Sequence, residues 1–107
     1  MISVVFIFEK NFIIGYKVSG HSGHKKHGHD IICAAVSSAA YMTVNAITEI
    51  LCANAFTSIK DGYMYVKIAS QDADLCSLVF QSFKLHIKAL CKQYGNFINF
   101  KNVFLSM

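Results

Sequence analysis

The 107-residue chain contains no proline and no arginine, and only six acidic residues. Without proline, helix-breaking and turn signals are correspondingly few. Without arginine it lacks the side chain that makes bidentate contacts with phosphate and guanine, which counts against a dedicated nucleic-acid reader. The net charge of +4 comes from ten lysines. They are spread along the chain (among them Lys10, Lys17, Lys60, Lys67, Lys84 and Lys101) and read as solvated lysines on a mildly basic protein. The apolar run in MISVVFIFEKN has no basic residue before it and no small-residue cleavage site after it, so no secretory signal is read there. With 15% charged and 54% hydrophobic residues, the chain does not have the composition of a disordered tail. Its length suits one domain over residues 1–107 with a single two-layer core. The apolar excess is more than a small domain buries alone, which favours an oligomer.

The four cysteines are Cys33, Cys52, Cys76 and Cys91. Cys33 and Cys52 are expected on one helix, and Cys76 and Cys91 on another. Neither sequential pair can then close, and all four are read as reduced thiols in the cytoplasm. Ile31 to Thr48 carries no formal charge and just reaches membrane-spanning length. It contains Ser37, Ser38, Thr43 and Asn45, and its apolar residues are mainly alanine, so a central, buried, close-packed helix is expected instead.

Periodicity divides the chain into seven elements. ISVVFIF (2–8) and FIIGYKVS (12–19) read as a hairpin, followed by a polar, glycine-rich loop over residues 20–30. A long helix is expected from Asp30, a favoured N-cap, to about Ala53. FTSIK, Asp61-Gly62 and YMYVKI read as a second hairpin with positive φ at both turn residues. Met64, Val66 and Ile68 would face the core, and Tyr63, Tyr65 and Lys67 would face outward. A second helix runs from about Asp72 to Tyr94, with Gly95 as its C-terminal cap. Its apolar stripe is Cys76, Val79, Phe80, Phe83, Ile87, Leu90, Cys91 and Tyr94, opposite solvated Lys84, Lys88 and Lys92. FINFKNVFL closes the chain. The fold class is α+β, ββαββαβ, a mainly antiparallel sheet with two helices packed on one face. The uncovered sheet face is expected to meet a second subunit.

The chemistry-bearing stretch is GHSGHKKHGHDIICAAVS, Gly20 to Ser37. Its four histidines, His21, His24, His27 and His29, with Cys33, supply enough ligands for Zn²⁺ or Ni²⁺. The spacing fits no structural zinc pattern, however, and a glycine-rich loop loses considerable entropy on folding around a metal. No dedicated metal site and no cofactor are expected. The nucleophile reading begins at Cys33, three residues past Asp30, where the helix dipole and free N–H groups stabilise a thiolate. Its side chain leans back toward the histidine loop, and a histidinium neighbour would lower its pKa further. Ala34 and Ala35 leave room for a substrate backbone near helix-start N–H groups, a potential oxyanion hole. The competing reading is a core cysteine on an alanine-rich helix beside a polar loop. His86 reads as a partly exposed helix residue.

Gly20-His21-Ser22 followed by Gly28-His29-Asp30-Ile31-Ile32-Cys33-Ala34-Ala35-Val36-Ser37 resembles the two-part motif of the ribosomal-processing cysteine proteases, the Prp family. The order of elements resembles that family over nearly the whole chain. The resemblance implies a cytoplasmic bacterial endopeptidase, active as a homodimer. Its substrate would be the N-terminal extension of large-subunit ribosomal protein twenty-seven, cut after paired aromatic residues. By position, Cys33 is the nucleophile and His21 the general base. Asp30 and Ser37 are supporting residues, and the segment with Ser22, Gly23 and Gly28 is a lid over bound peptide. Two departures are Ser22, where the family usually has alanine, and the basic residues His24, Lys25, Lys26, His27 and His29. The resemblance requires neither nucleic acid nor membrane as a partner. The rival readings are a non-catalytic ribosome- or RNA-binding module and a histidine-loop metal-binding protein.

Overall fold

The computed structural model describes residues 1–20 and 29–105, with His29 and Asp30 described as backbone alone. The elements are β1 (Ile2–Glu9), β2 (Phe12–Ser19), α1 (His29–Asn45), β3 (Ala55–Lys60), β4 (Tyr63–Ile68), α2 (Ala73–Tyr94) and β5 (Ile98–Leu105). This is the expected ββαββαβ order. The strands form one sheet in the order β3-β4-β2-β1-β5. β1 and β5 run parallel, and every other pairing is antiparallel.

Period-2 patterning places Ile2, Val4 and Phe6 of β1, Tyr16 and Val18 of β2, and Met64, Val66 and Ile68 of β4 in the core. The helices close over them with Ile32, Val36, Ala40 and Val44 of α1, and Cys76, Phe80, Phe83, Ile87 and Leu90 of α2. Tyr16 ties the layers together. Its hydroxyl donates to the Ala40 carbonyl of α1 at 2.8 Å. Its ring packs edge-on against Phe80 and Phe83 of α2, with centroids 6.1 and 4.7 Å away. Burial raises its phenol pKa well above the ordinary value.

Several local expectations change. The first helix begins at His29, so Asp30 is its second residue rather than its cap, and Cys33 is the fifth. The regular helix ends at Asn45 and continues as a π-helical turn over Ala46–Ile50 instead of reaching Ala53. There the Leu51 N–H donates to Ala46 O (2.9 Å), and Ala53 N–H to Ile47 O (3.0 Å). The hydroxyls of Thr43 and Thr48 bond back to the carbonyls of Ala39 and Val44, a habit that bends helices. Cys52 therefore lies beyond α1, with φ 53°, and does not share a helix with Cys33.

α1 is not buried all round. Ile31–Ile50 is long and apolar enough to span a membrane by length and composition, yet 33% of that stretch is buried. Ile32, Val36, Ala40 and Val44 face the sheet, while Ile31, Tyr41 and Met42 are exposed. In the second hairpin turn only Gly62 takes positive φ (73°), so the turn is not the doubly left-handed type. Gly95 ends α2 with φ −59°, in the ordinary helical region and not as a left-handed cap. Lys84 is half-buried rather than fully solvated. Its ammonium lies 4.8 Å from the Phe8 ring centroid and 5.9 Å from that of Phe100. Desolvation, then the nearby Lys88 charge, lowers its pKa.

Candidate active site

β2 and α1 flank the connection that leads from Gly20 to Cys33. β2 ends at Ser19, and Gly20 turns the chain with φ +88°. A Cβ at Gly20 would stand 2.4 Å from the Met1 carbonyl oxygen, and the Gly20 N–H donates to Gly62 O at 3.3 Å. Glycine is thus needed here both for its left-handed conformation and for close backbone approach. Gly20 is the first residue of the Gly20-His21-Ser22 motif, and its conformational requirement follows from the contact with Met1.

Cys33 stands at the other end of this connection. It is half-buried and packed against the core cluster. As the fifth residue of α1 it lies one place beyond the first turn, and helical side chains lean toward the N-terminus, back over that turn. The helix-dipole effect fades within a turn of the end. The thiol is therefore nearer the edge of that field than the expected third position implied. Ala34 is exposed and Ala35 half-buried, so small side chains flank the thiol. Ser37, one turn further on, is half-buried and lies on the same face as Cys33 by helical periodicity.

The other named residues are brought together only in part. Asp30 is placed in α1 by its backbone. His21, Ser22, Gly23 and Gly28, with His24, His27 and the lid, lie outside the described residues. Among the described residues no group of three or more His, Cys, Asp or Glu is arranged to hold a metal ion. His86 is exposed and lines a groove between α1 and α2.

None of the four cysteines is in a disulfide, and their surroundings separate them. Cys76 is fully buried; burial, then the Asp72 charge, pushes its thiol pKa up. Burial also raises that of Cys91. Cys52 is exposed, with its thiol 3.8 Å from the Glu49 carbonyl oxygen. Since the thiolate is the reactive form, the upward shifts disfavour it at Cys76 and Cys91.

A half-exposed thiol in the opening turns of the first helix of this α+β sandwich is an arrangement that suits a thiol hydrolase. The chain belongs to the cysteine protease Prp family, whose model matches residues 1–99, and so to the ribosomal-processing cysteine proteases. The Staphylococcus aureus (strain Mu50) ribosomal processing cysteine protease Prp is 26% identical over 80 residues, covering 73% of this chain and 76% of its own. The structure of SMU.848 from Streptococcus mutans superposes with a TM-score of 0.87 at 29% identity, covering 98% of this chain and 96% of that one. S. aureus Prp bound to a substrate peptide shares the fold, with a TM-score of 0.83 at 21% identity and coverage of 98% and 100%. So does S. aureus Prp with a covalently linked product peptide, at 0.84 and 23%, covering 96% and 100%.

Proposed function

We propose that this chain, as one catalytic domain over residues 1–107, removes the N-terminal extension of large-subunit ribosomal protein twenty-seven in the bacterial cytoplasm, using Cys33 and His21. The observation that carries this reading is the half-buried Cys33 at the start of α1, one connecting segment after His21, in a chain of the Prp family. The covalently linked product peptide in S. aureus Prp supports a route through an acyl-enzyme.

His21 takes the thiol proton, and the Cys33 sulfur attacks the scissile carbonyl. Backbone N–H groups at the start of α1 stabilise the oxyanion. His21 then protonates the leaving amine. Water, deprotonated by the same imidazole, hydrolyses the thioester and restores the thiol. Asp30 and Ser37 support this pair, and the segment with Ser22, Gly23 and Gly28 closes over the peptide.

The active species is a homodimer joined through the helix layer and not through the uncovered sheet face expected from the sequence, because large apolar side chains stand exposed on the helices. Ala35, Ala39, Met42, Leu78, Val79 and Phe83 line an apolar groove of about 830 Å³ there, and Met42 and Leu78 are 72% and 77% exposed. Light scattering at micromolar concentration should give twice the chain mass, and a clean monomer overturns the dimer.

The activity is tested with a peptide spanning the extension and its paired aromatic residues. Cys33→Ala and His21→Ala should each lower cleavage at least about 1,000-fold, with unchanged far-ultraviolet circular dichroism. Full activity in either variant removes that residue from the mechanism.

A further inference from the structure

The lysines that look scattered along the chain are gathered by strand pairing. On the sheet face away from the helices, the register lines up three rows across all five strands. The first is Phe56–Lys67–Gly15–Ile7–Val103, the second Ser58–Tyr65–Lys17–Val5–Lys101, and the third Lys60–Tyr63–Ser19–Ser3–Asn99. These positions hold four lysines, three aromatic residues and no carboxylate. The one acidic strand residue, Glu9, lies beyond the first row, opposite Leu105 of β5, and Asp61 lies in the turn after Lys60.

Each aromatic residue has a lysine as its direct cross-strand neighbour: Phe56 with Lys67, Tyr65 with Lys17, and Tyr63 with Lys60. Phe56 is 64% exposed and meets Tyr65 edge-on at 6.0 Å with the ring planes 63° apart, so the two rings are neighbours that would each take a different base. Diagonal partners such as Lys17 and Lys67 lie about 7–8 Å apart at the backbone. Strand spacing of about 4.8 Å sets Lys17 and Lys101 about 10 Å apart across Val5.

We propose that this face binds single-stranded RNA, with Lys17, Lys60, Lys67 and Lys101 on phosphates and Phe56, Tyr63 and Tyr65 stacking on bases. Flexible lysines suit backbone contacts without sequence reading, and aromatic platforms accept any base. The hydroxyls of Ser3, Ser19, Ser58, Tyr63 and Tyr65 and the amide of Asn99 supply partners for the ribose 2′-OH, the group that separates RNA from DNA. These rows carry four lysines and no carboxylate, so a second copy of this chain would bring the same rows no acidic partner. The proposal is independent of the cleavage reaction.

The test is fluorescence anisotropy of a labelled, mixed-sequence 12-nucleotide RNA across a salt series. Four phosphate contacts predict saturable binding whose log K falls with log salt at a slope of about −3. The double variant Lys17→Glu, Lys67→Glu should lose at least about tenfold in affinity, and Tyr65→Ala about fivefold or more. Lys88→Glu, on exposed α2, should change neither affinity nor slope. A thermal melt checks each fold. If the double variant does not fold, Lys17→Gln and Lys67→Gln singly should each flatten the slope by about 0.7. No saturable RNA binding, an equal loss with Lys88→Glu, or full affinity in Tyr65→Ala overturns the platform. Matched DNA binding as tightly overturns the assignment to RNA.

Discussion

The molecule has two helix starts with a cysteine about one turn in, and they differ chemically. Cys33 is the fifth residue of α1, three residues after Asp30; Cys76 is the fourth residue of α2, four residues after Asp72. A helix-dipole argument from sequence position favours a thiolate at both. The environment decides against Cys76, which is sealed in the core between the sheet and α2 and faces the Asp72 charge. Cys33 keeps partial access to solvent. A helix start is therefore an insufficient signal for a reactive cysteine, because desolvation of the thiolate outweighs the dipole where the site is closed.

Alkylation rate should show the difference most strongly. With iodoacetamide at neutral pH in the native protein, Cys33 should label at least about 100-fold faster than Cys76, which reacts only when the structure opens. Peptide mapping of early time points reads this directly. Similar rates at the two thiols would erase the distinction.

Stability gives the next contrast. Cys76→Ala should cost about 1–2 kcal/mol by urea unfolding, as truncation in a packed core, while leaving peptide cleavage intact. Cys33→Ala should cost less, being at the core's edge. The raised thiol pKa of Cys76 also fixes a sign. The folded protein holds the proton more tightly than the unfolded chain, so this contribution is fully present below the ordinary thiol pKa and is lost as pH rises through the folded value. Stability should therefore fall from about pH 9 upward, less steeply in Cys76→Ala. An unchanged slope in that variant would place the alkaline loss elsewhere.

The smallest effect concerns Asp72, whose Oδ2 accepts the Asn54 backbone N–H at 2.9 Å and makes no cap bond to α2. Asp72→Asn exchanges a charged acceptor for a neutral one and should cost about 1 kcal/mol, while relieving part of the upward pressure on the Cys76 thiol. Unchanged unfolding midpoints would show that this link between the β3 approach and α2 is not stabilising.

Much of the fold was legible because its signals are local. Alternating Met64, Val66 and Ile68 reads as a strand, and the Cys76-to-Tyr94 stripe as a helix, through their own periods. What failed also had local physical causes. Asp30 entered the helix instead of capping it. The Thr43 and Thr48 back-bonds accompany the change from α-helix to a π-helical turn and then the exit of Cys52 from α1. Lys84 is half-buried because Phe8 and Phe100, distant in sequence, form a ring surface beneath it. At the site, Cys33 and Ser37 were readable through their helical spacing. The need for glycine at Gly20 rests on Met1, whose approach no neighbouring residue announces.

The sequence by itself determined the order of elements, the face each buries and the cysteine-bearing helix start of a Prp-family protease, since these follow from spacing within one segment. Only the tertiary structure decided that Cys76 is sealed in the core and that Lys17, Lys60, Lys67 and Lys101 share one face. Both depend on strand order β3-β4-β2-β1-β5. That order joins residues far apart in the chain through backbone hydrogen bonds and a shared core, and the periodicity of a single strand carries no record of its neighbour.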